Sequence, residues 1–387
     1  MNKNRNRFLY STVPSLIAIL AGLVFGAILM LIVCLMDKNI TLGGFWDGAR
    51  LLIIGFLSKG RDELGNLMFG YNGTHLGNML FKATPLIMTG LSVAAAFKAG
   101  LFNIGAPGQY LMGLTASIVI ALAIPSASVP AGLILVLALL GGMVAGAVWG
   151  MIPGALKAYL NVNEVITCIL TNWIAANLST LIFEGSAFIN NTEPGKSGFL
   201  YKTAANGVEL PKALLDKVFP GSQVNSGIII AVILAVIMYF VISKSICGFE
   251  MRLCGSNREA ARYCGINENA NIIMSMAIAG ALAGIGAALY TLSGNTEFAW
   301  STYQKLPQVG FNGIPVALLG CLNPIGVIFT GMFMSALEIN GQQIANLTAY
   351  NEYITSIIIG VIVYLSAFTK YIRGVMMHRR KKGGTKK

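Results

Sequence analysis

Six uncharged polar side chains sit in or beside hydrophobic runs: Asn103, Gln109, Thr167, Asn172, Gln308 and Asn312. Amides and hydroxyls in such places make hydrogen bonds; they can hold a small polar solute by its hydroxyl, amino and carbonyl groups, or tie helices together where lipid offers no partner. Both readings stand at the level of sequence. Bond-breaking chemistry is not expected. All four aspartates (Asp37, Asp47, Asp62 and Asp216) fall outside the hydrophobic runs, His75 and His378 are far apart, and no G-x-S-x-G elbow occurs. The cysteines Cys34, Cys168, Cys247, Cys254, Cys264 and Cys321 include no C-x-x-C pair, so free thiols and no metal site are expected. The chain does not read as an enzyme.

A second kind of chemistry, recognition by another protein, is suggested by the polar island of Gly255, Ser256, Asn257, Arg258, Glu259, Ala260, Ala261, Arg262, Tyr263, Cys264 and Gly265. Ser256 and Glu259 have the S-x-x-E spacing of a capping box, in which the hydroxyl accepts from the N–H of the acidic residue and the carboxylate reaches back to the serine N–H. Gly265 is placed to supply the left-handed residue that ends the segment. Between them lies a helix of about two turns, below the roughly 12 to 15 residues an isolated helix needs in water, so a contact must hold it. Ala260, Ala261 and Cys264 offer a small-residue face for a partner's groove, while Arg258 and Arg262 lie along another face.

Composition identifies the elements that must position these residues. Hydrophobic residues make up 55% of the 387-residue chain and charged ones 11%, against about 25% charged in soluble domains. Apolar stretches at 14–36, 76–97, 108–124, 129–152, 165–183, 227–242, 270–292, 306–321, 325–339 and 353–369 match or approach the roughly 17 to 25 residues that cross a hydrocarbon core. The predicted fold is all-α: one polytopic transmembrane helix bundle of about ten spans, with outer loops at 37–75 and 184–226, an inner loop at 244–269 and a basic tail at 370–387. The first apolar run exceeds the h-region of a signal peptide and lacks an A-x-A site, so it is expected to remain as an anchor. Small residues four apart, Gly22 and Gly26, Gly142, Gly146 and Gly150, Gly280 and Gly284, predict closely packed helices.

Lys and Arg set the orientation. With the N-terminus inside, the inner segments hold 17 basic residues and the outer loops nine, interleaved there with ten acidic ones; this positive-inside bias predicts both termini in the cytoplasm. The net charge of +12 therefore reports topology and contact of the 378–387 tail with anionic membrane lipids. With no basic stretch attached to a soluble fold, no nucleic-acid partner is expected.

Two interrupted stretches stand out. Gly100, Phe102, Asn103, Gly105, Pro107 and Gly108, and later Gly310, Phe311, Asn312, Gly313 and Pro315, each set Phe-Asn among glycines and a proline, one stretch in each half of the chain. Broken helices in corresponding halves point to a substrate path. Equally, Pro107 fits the first turn of an ordinary span.

These stretches carry a resemblance. The run from Ala83, Pro85 and Gly90 through Lys98, Gly100, Phe102, Asn103, Gly105, Gly108 and Gln109 resembles the signature of permease subunits of ABC importers for nucleosides and simple sugars, the BMP-type, branched-chain and ribose-like permeases. Its usual form has an acidic residue before the second glycine, where Pro107 stands, and no charged role is carried over to that position. Glu164, Val165, Ile166 and Thr167 with Asn172 resemble the segment of the nucleoside-type permeases, and residues 310–320 with Pro324 resemble their late signature. Residues 255–266 are similar to the family's coupling helix, which docks into the ATPase subunit. The resemblance covers roughly residues 76–365.

It implies a bacterial cell-membrane permease that forms the translocation path for nucleosides, with Asn103, Gln109, Thr167, Asn172, Gln308 and Asn312 along the path. Gly255, Ser256, Asn257, Glu259, Ala260, Ala261 and Gly265 would couple it to a separate ABC ATPase. A second homologous permease subunit, in a heterodimer, and an extracytoplasmic substrate-binding lipoprotein are the other implied partners. The chain needs no cofactor of its own; ATP is used by the ATPase. Gly195, Lys196 and Ser197 imitate the end of a Walker A loop, but Asn190 stands where that loop needs glycine. Simple sugars of the ribose or galactose type are the alternative substrates. An ion-coupled carrier is a weaker alternative, since Glu164 and Glu338 are the only carboxylates near spans and Glu164 is also placed to cap the helix that follows it.

Overall fold

The computed structural model describes residues 2–190, 192, 198–302, 304–351, 353–369 and 374. The 378–387 tail and the Gly195–Ser197 imitation lie outside the described residues. Within them the chain forms fourteen helices: α1 (Asn2–Met36), α2 (Leu42–Ile54), α3 (Gly73–Lys98), α4 (Ala106–Ala123), α5 (Ala131–Leu160), α6 (Glu164–Phe183), α7 (Leu215–Val218), α8 (Gly227–Lys244), α9 (Ile246–Ser256), α10 (Arg258–Tyr263), α11 (Glu268–Thr291), α12 (Gln308–Leu319), α13 (Pro324–Leu347) and α14 (Tyr353–Ala367). Seven are long and apolar enough to cross a membrane, and α12 and α14 are shorter apolar helices. All ten expected spans fall on helices. With 12 residues, α12 rises about 18 Å, short of a hydrocarbon core of roughly 30 Å.

The core centres on α3, where every residue from 83 to 96 is buried. Around it, α5 shows how glycine sets helix distance. Its buried face reads Ile134, Ala138, Gly142, Gly146, Gly150 and Gly154, one residue per turn, while Val136, Leu140, Val144 and Val148 are exposed. The glycine stripe lies on Gly280 and Gly284 of α11, close enough that a Cβ on Gly284 would sit 3.0 Å from the Cα of Gly146. Backbone-to-backbone contact of this kind holds membrane helices together where water supplies no drive. The Gly22 and Gly26 pair serves α1 likewise, meeting Ile362 and Ile358 of α14.

That last contact also fixes the relative topology. The α1–α14 pair is antiparallel, with Tyr350 Oη donating to the Met30 carbonyl at 2.8 Å at its far end, so residues near 15 and near 366 leave the bundle at the same end. At the opposite end, a two-stranded antiparallel hairpin, β1 (Ser58–Arg61) and β2 (Leu67–Phe69), joins the loops. Arg61 pairs with Asp47 at 2.8 Å and donates to the Leu347 carbonyl. The described residues of the 184–226 region are folded onto the same end: Leu200, Val208, Leu210 and Val224 are buried, and Asn206 donates to the carbonyls of Ala121 and Ile124 at the end of α4.

Candidate functional site

The first interruption is real. After Lys98 the chain turns through Gly100 at φ +74° and resumes as α4 at Ala106, which leaves backbone groups in the membrane to be satisfied. Two amides, Asn103 and Asn172, do this, and Gln109 holds the first in place. Asn103, fully buried, donates from Nδ2 to Gln109 Oε1 at 2.9 Å and to Ser92 Oγ at 3.2 Å, and its Oδ1 accepts from Gln109 Nε2 and from the Gly105 N–H, both at 3.1 Å. Asn172 of α6 accepts from the Gly108 N–H at 2.9 Å and donates to the Ile104 carbonyl at 3.0 Å. Thr167 is buried and donates to the Asn163 carbonyl at 2.7 Å. The structure thus puts Asn103, Gln109 and Asn172 in one interior network that holds the break closed.

The second interruption falls elsewhere than expected. Residues 310–315 are helical, within α12, and the breaks flank that helix: an irregular segment before Gln308, and Cys321 and Leu322 at φ 57° and 55° after it. Thr330 Oγ1 of α13 donates to the Val316 carbonyl, while the start of α12 is pinned by Thr89 Oγ1 donating to the Val309 carbonyl at 3.1 Å. The two sequence stretches meet. A Cβ on Gly310 would lie 2.6 Å from the Pro107 nitrogen, so only glycine lets the start of α12 rest on the start of α4. Gln308 is exposed and Asn312 half-buried, with Gln308 Nε2 reaching toward Asn312 Oδ1 at 3.5 Å.

The segment leading into α12 runs antiparallel along α6. The Phe298 ring packs on Phe183, Trp300 Nε1 donates to the Thr180 carbonyl at 3.1 Å, and Thr180 Oγ1 donates to the Ser301 carbonyl at 3.1 Å. Lower on α6, Gln304 and Lys305 face Trp173, Ala176 and Asn177 across an open cleft of about 370 Å³. Lys305, placed by sequence in an outer loop, lies on this cleft. These residues were missed because the segment has no periodicity. The available signal was Asn177, the one amide on the exposed α6 face of Ile166, Leu170, Trp173, Ile174 and Leu181.

The polar island needs three corrections. Residues 246–256 already form a helix, α9, started by Ser245, whose Oγ accepts from the Gly248 N–H, so Ser256 ends one helix instead of capping the next. The cap of α10 is Asn257, whose Oδ1 accepts from the Ala260 N–H at 3.1 Å. Ala261 is fully buried within this chain, and Ala260, Ala261 and Cys264 do not form one open face. The outward side chains are Glu259, Arg262, Tyr263 and Cys264, with Tyr263 92% exposed. Gly265 takes the left-handed conformation expected of it, at φ +74°. Arg258 pairs with Glu268 of α11 at 3.6 Å. Gly255 lies directly on the turn after α3, where a Cβ would meet the Gly100 nitrogen at 2.7 Å.

Both carboxylates near spans have a lysine. Glu164, in the first turn of α6, pairs with Lys157 at 3.1 Å, and the capping role falls to Asn163, whose Oδ1 accepts from the Val165 N–H. Glu338 of α13 pairs with Lys82 of α3 at 3.7 Å. Among the described residues no cluster of three metal-ligating side chains occurs, and none of the six cysteines forms a disulfide there.

Comparison with known proteins places the chain in a family. Residues 75–367 match the family described as branched-chain amino acid transport system / permease component. The chain is 35% identical to a guanosine ABC transporter permease protein of Bacillus subtilis, over 95% of this chain and 96% of that one. It is 34% identical to a nucleoside ABC transporter permease protein of Lactococcus lactis, over 95% and 93%, and 33% identical to a glucose ABC transporter permease protein of Haloferax volcanii, over 79% and 80%. No solved structure matches the chain.

Proposed function

The chain belongs to the family of branched-chain amino acid transport system permease components, multi-pass membrane subunits that are not enzymes, and on that premise we propose that it forms the path by which an ABC importer brings nucleosides into a bacterial cell. The observation that carries the reading is the meeting of Pro107 and Gly310. It joins two interrupted segments inside the bundle, in a chain whose similarity to nucleoside permeases extends over 95% of its length. Broken helices that meet inside a membrane bundle are where a polar solute crosses.

The α9–α10 loop is the docking site for the ATPase subunit. Its exposed Glu259, Arg262 and Tyr263 make the contact, and Gly255 passes the movement to the turn at Gly100. Both termini and this loop face the cytoplasm, as the basic residues suggest. A second homologous permease subunit, in a heterodimer, completes the membrane part of the transporter, and an extracytoplasmic substrate-binding lipoprotein delivers the solute to the end carrying the 184–226 cap. Asn103, Gln109, Thr167 and Asn172 hold the shape of the path, and Gln308 and Asn312 border it.

Uptake of labelled guanosine, ribose and glucose by membrane vesicles that contain the complete transporter tests the reading. ATP-dependent accumulation of guanosine is expected. The similarity to a glucose permease supports a second reading, and accumulation of a sugar without guanosine would establish that one instead.

A further inference from the structure

The cleft between α6 and the segment before α12 combines groups that a plain helix contact does not need. Trp173 is 55% exposed. Asn177 is exposed and gives its Nδ2 to the Trp173 carbonyl at 2.8 Å, which leaves its side-chain oxygen to accept. Gln304 Oε1 is buried with no hydrogen-bond partner, and Lys305 is exposed beside it. An amide and an ammonium on one membrane-level face cannot rest in hydrocarbon without a large cost, so the face borders water or protein. That oxygen gains a donor when the side chain turns into the cleft to meet a ligand's N–H or O–H.

From this we infer that the cleft is a holding site for a nucleoside on the import path, with the base stacked on the Trp173 indole, its edge read by Asn177 and Gln304, and the sugar hydroxyls facing Lys305. The inference rests on the proposed nucleoside substrate and adds the place and the groups that recognise it. An indole face suits any base, because every base presents a π surface, and the two amides offer both donors and acceptors for its edge. The cleft volume of about 370 Å³ falls in the range of small-molecule sites, roughly 300 to 1,000 Å³. The segment carrying Gln304 is fastened above by Trp300 and Ser301 to Thr180 and below at Val309 to Thr89. The backbone carrying Gln304 is therefore held near α6 before a ligand arrives, which lowers the cost of binding.

The test uses the complete transporter in proteoliposomes with labelled guanosine. Trp173→Ala is expected to lower guanosine uptake about tenfold or more, the scale of one lost base–aromatic stack, while assembly and basal ATP hydrolysis stay at the wild-type level; Trp173→Phe should retain most uptake. In an Asn177→Cys variant, a water-soluble thiol reagent should react with the new cysteine, and saturating guanosine should slow that reaction several-fold. If Trp173→Ala and Gln304→Ala import guanosine within twofold of wild type, and guanosine gives Asn177→Cys no protection, the holding site is wrong while nucleoside import stands. A wild-type transporter that takes up no nucleoside overturns both.

Discussion

Gly100 and Gly255 touch backbone to backbone: a Cβ on Gly100 would lie 2.9 Å from the Gly255 Cα, and Gly100 itself sits at φ +74°. One residue ends the helix that precedes the Asn103 network, and the other enters the loop proposed to carry the ATPase. A movement at α9–α10, if the proposed docking occurs there, would reach the interrupted segment without an intermediate side chain.

Gly255→Val puts a branched side chain into the carbonyl of Lys98 and the nitrogen of Gly100. The variant should insert and hydrolyse ATP with its partner, yet lose guanosine uptake by about tenfold or more, since overpacking of this kind costs typically 1 to 3 kcal/mol and would shift the docked geometry. Unchanged uptake per ATP hydrolysed would show that the contact transmits nothing.

Asn103→Leu leaves Gln109 without its partner in a buried site, at a cost of about 1 to 3 kcal/mol. The thermal midpoint of the detergent-purified protein should fall accordingly. Adding Gln109→Leu should recover part of the loss, because replacing both members removes the unmatched polar group; the Gly105 N–H, which also uses Asn103, keeps the recovery incomplete. A double variant less stable than the sum of the single changes would contradict the pairing.

Gly280→Val should be the most damaging of these changes, because its side chain would enter the Gly146 backbone on α5. Membrane-inserted, monodisperse protein should drop sharply relative to Gly360→Val, since Gly360 faces open space. Equal recovery of the two variants would remove the glycine stripe from the account.

How much of this was legible in the sequence follows from what kind of signal each part leaves. Apolar runs and glycines four apart mark the spans and the α5–α11 seam directly, because lipid exposure and close backbone approach restrict residue type along the whole helix. The segment from Phe298 to Gln308 leaves no such mark: its course is set by single hydrogen bonds, Trp300 Nε1 to the Thr180 carbonyl and Thr180 Oγ1 to the Ser301 carbonyl, with a residue far away in sequence. Ser256 misled because the S-x-x-E spacing is also satisfied by a residue that ends α9, and only the helical state of residues 246–256 shifts the cap to Asn257.

Sidedness can be read with native thiols. Cys264 is exposed beyond α10, whereas Cys254 on α9 is buried and its thiol pKa is pushed up by burial and by the nearby Glu268 and Glu250. At neutral pH an impermeant maleimide should modify Cys264 in inside-out vesicles and spare it in right-side-out vesicles, with Cys254 slow in both. A Gly198→Cys variant should show the reverse preference. Reaction of Cys264 from outside would invert the proposed topology.

The central claim is that nucleoside movement through this chain is driven by a docked ATPase. Its most direct measurement is labelled guanosine accumulation in proteoliposomes prepared with and without the ATPase subunit, with ATP present and a protonophore added to collapse ion gradients. The account predicts accumulation only when the ATPase is present, unaffected by the protonophore, and abolished by a Tyr263→Asp change at the docking loop. Accumulation by the chain without the ATPase, collapsing when the protonophore is added, would contradict it.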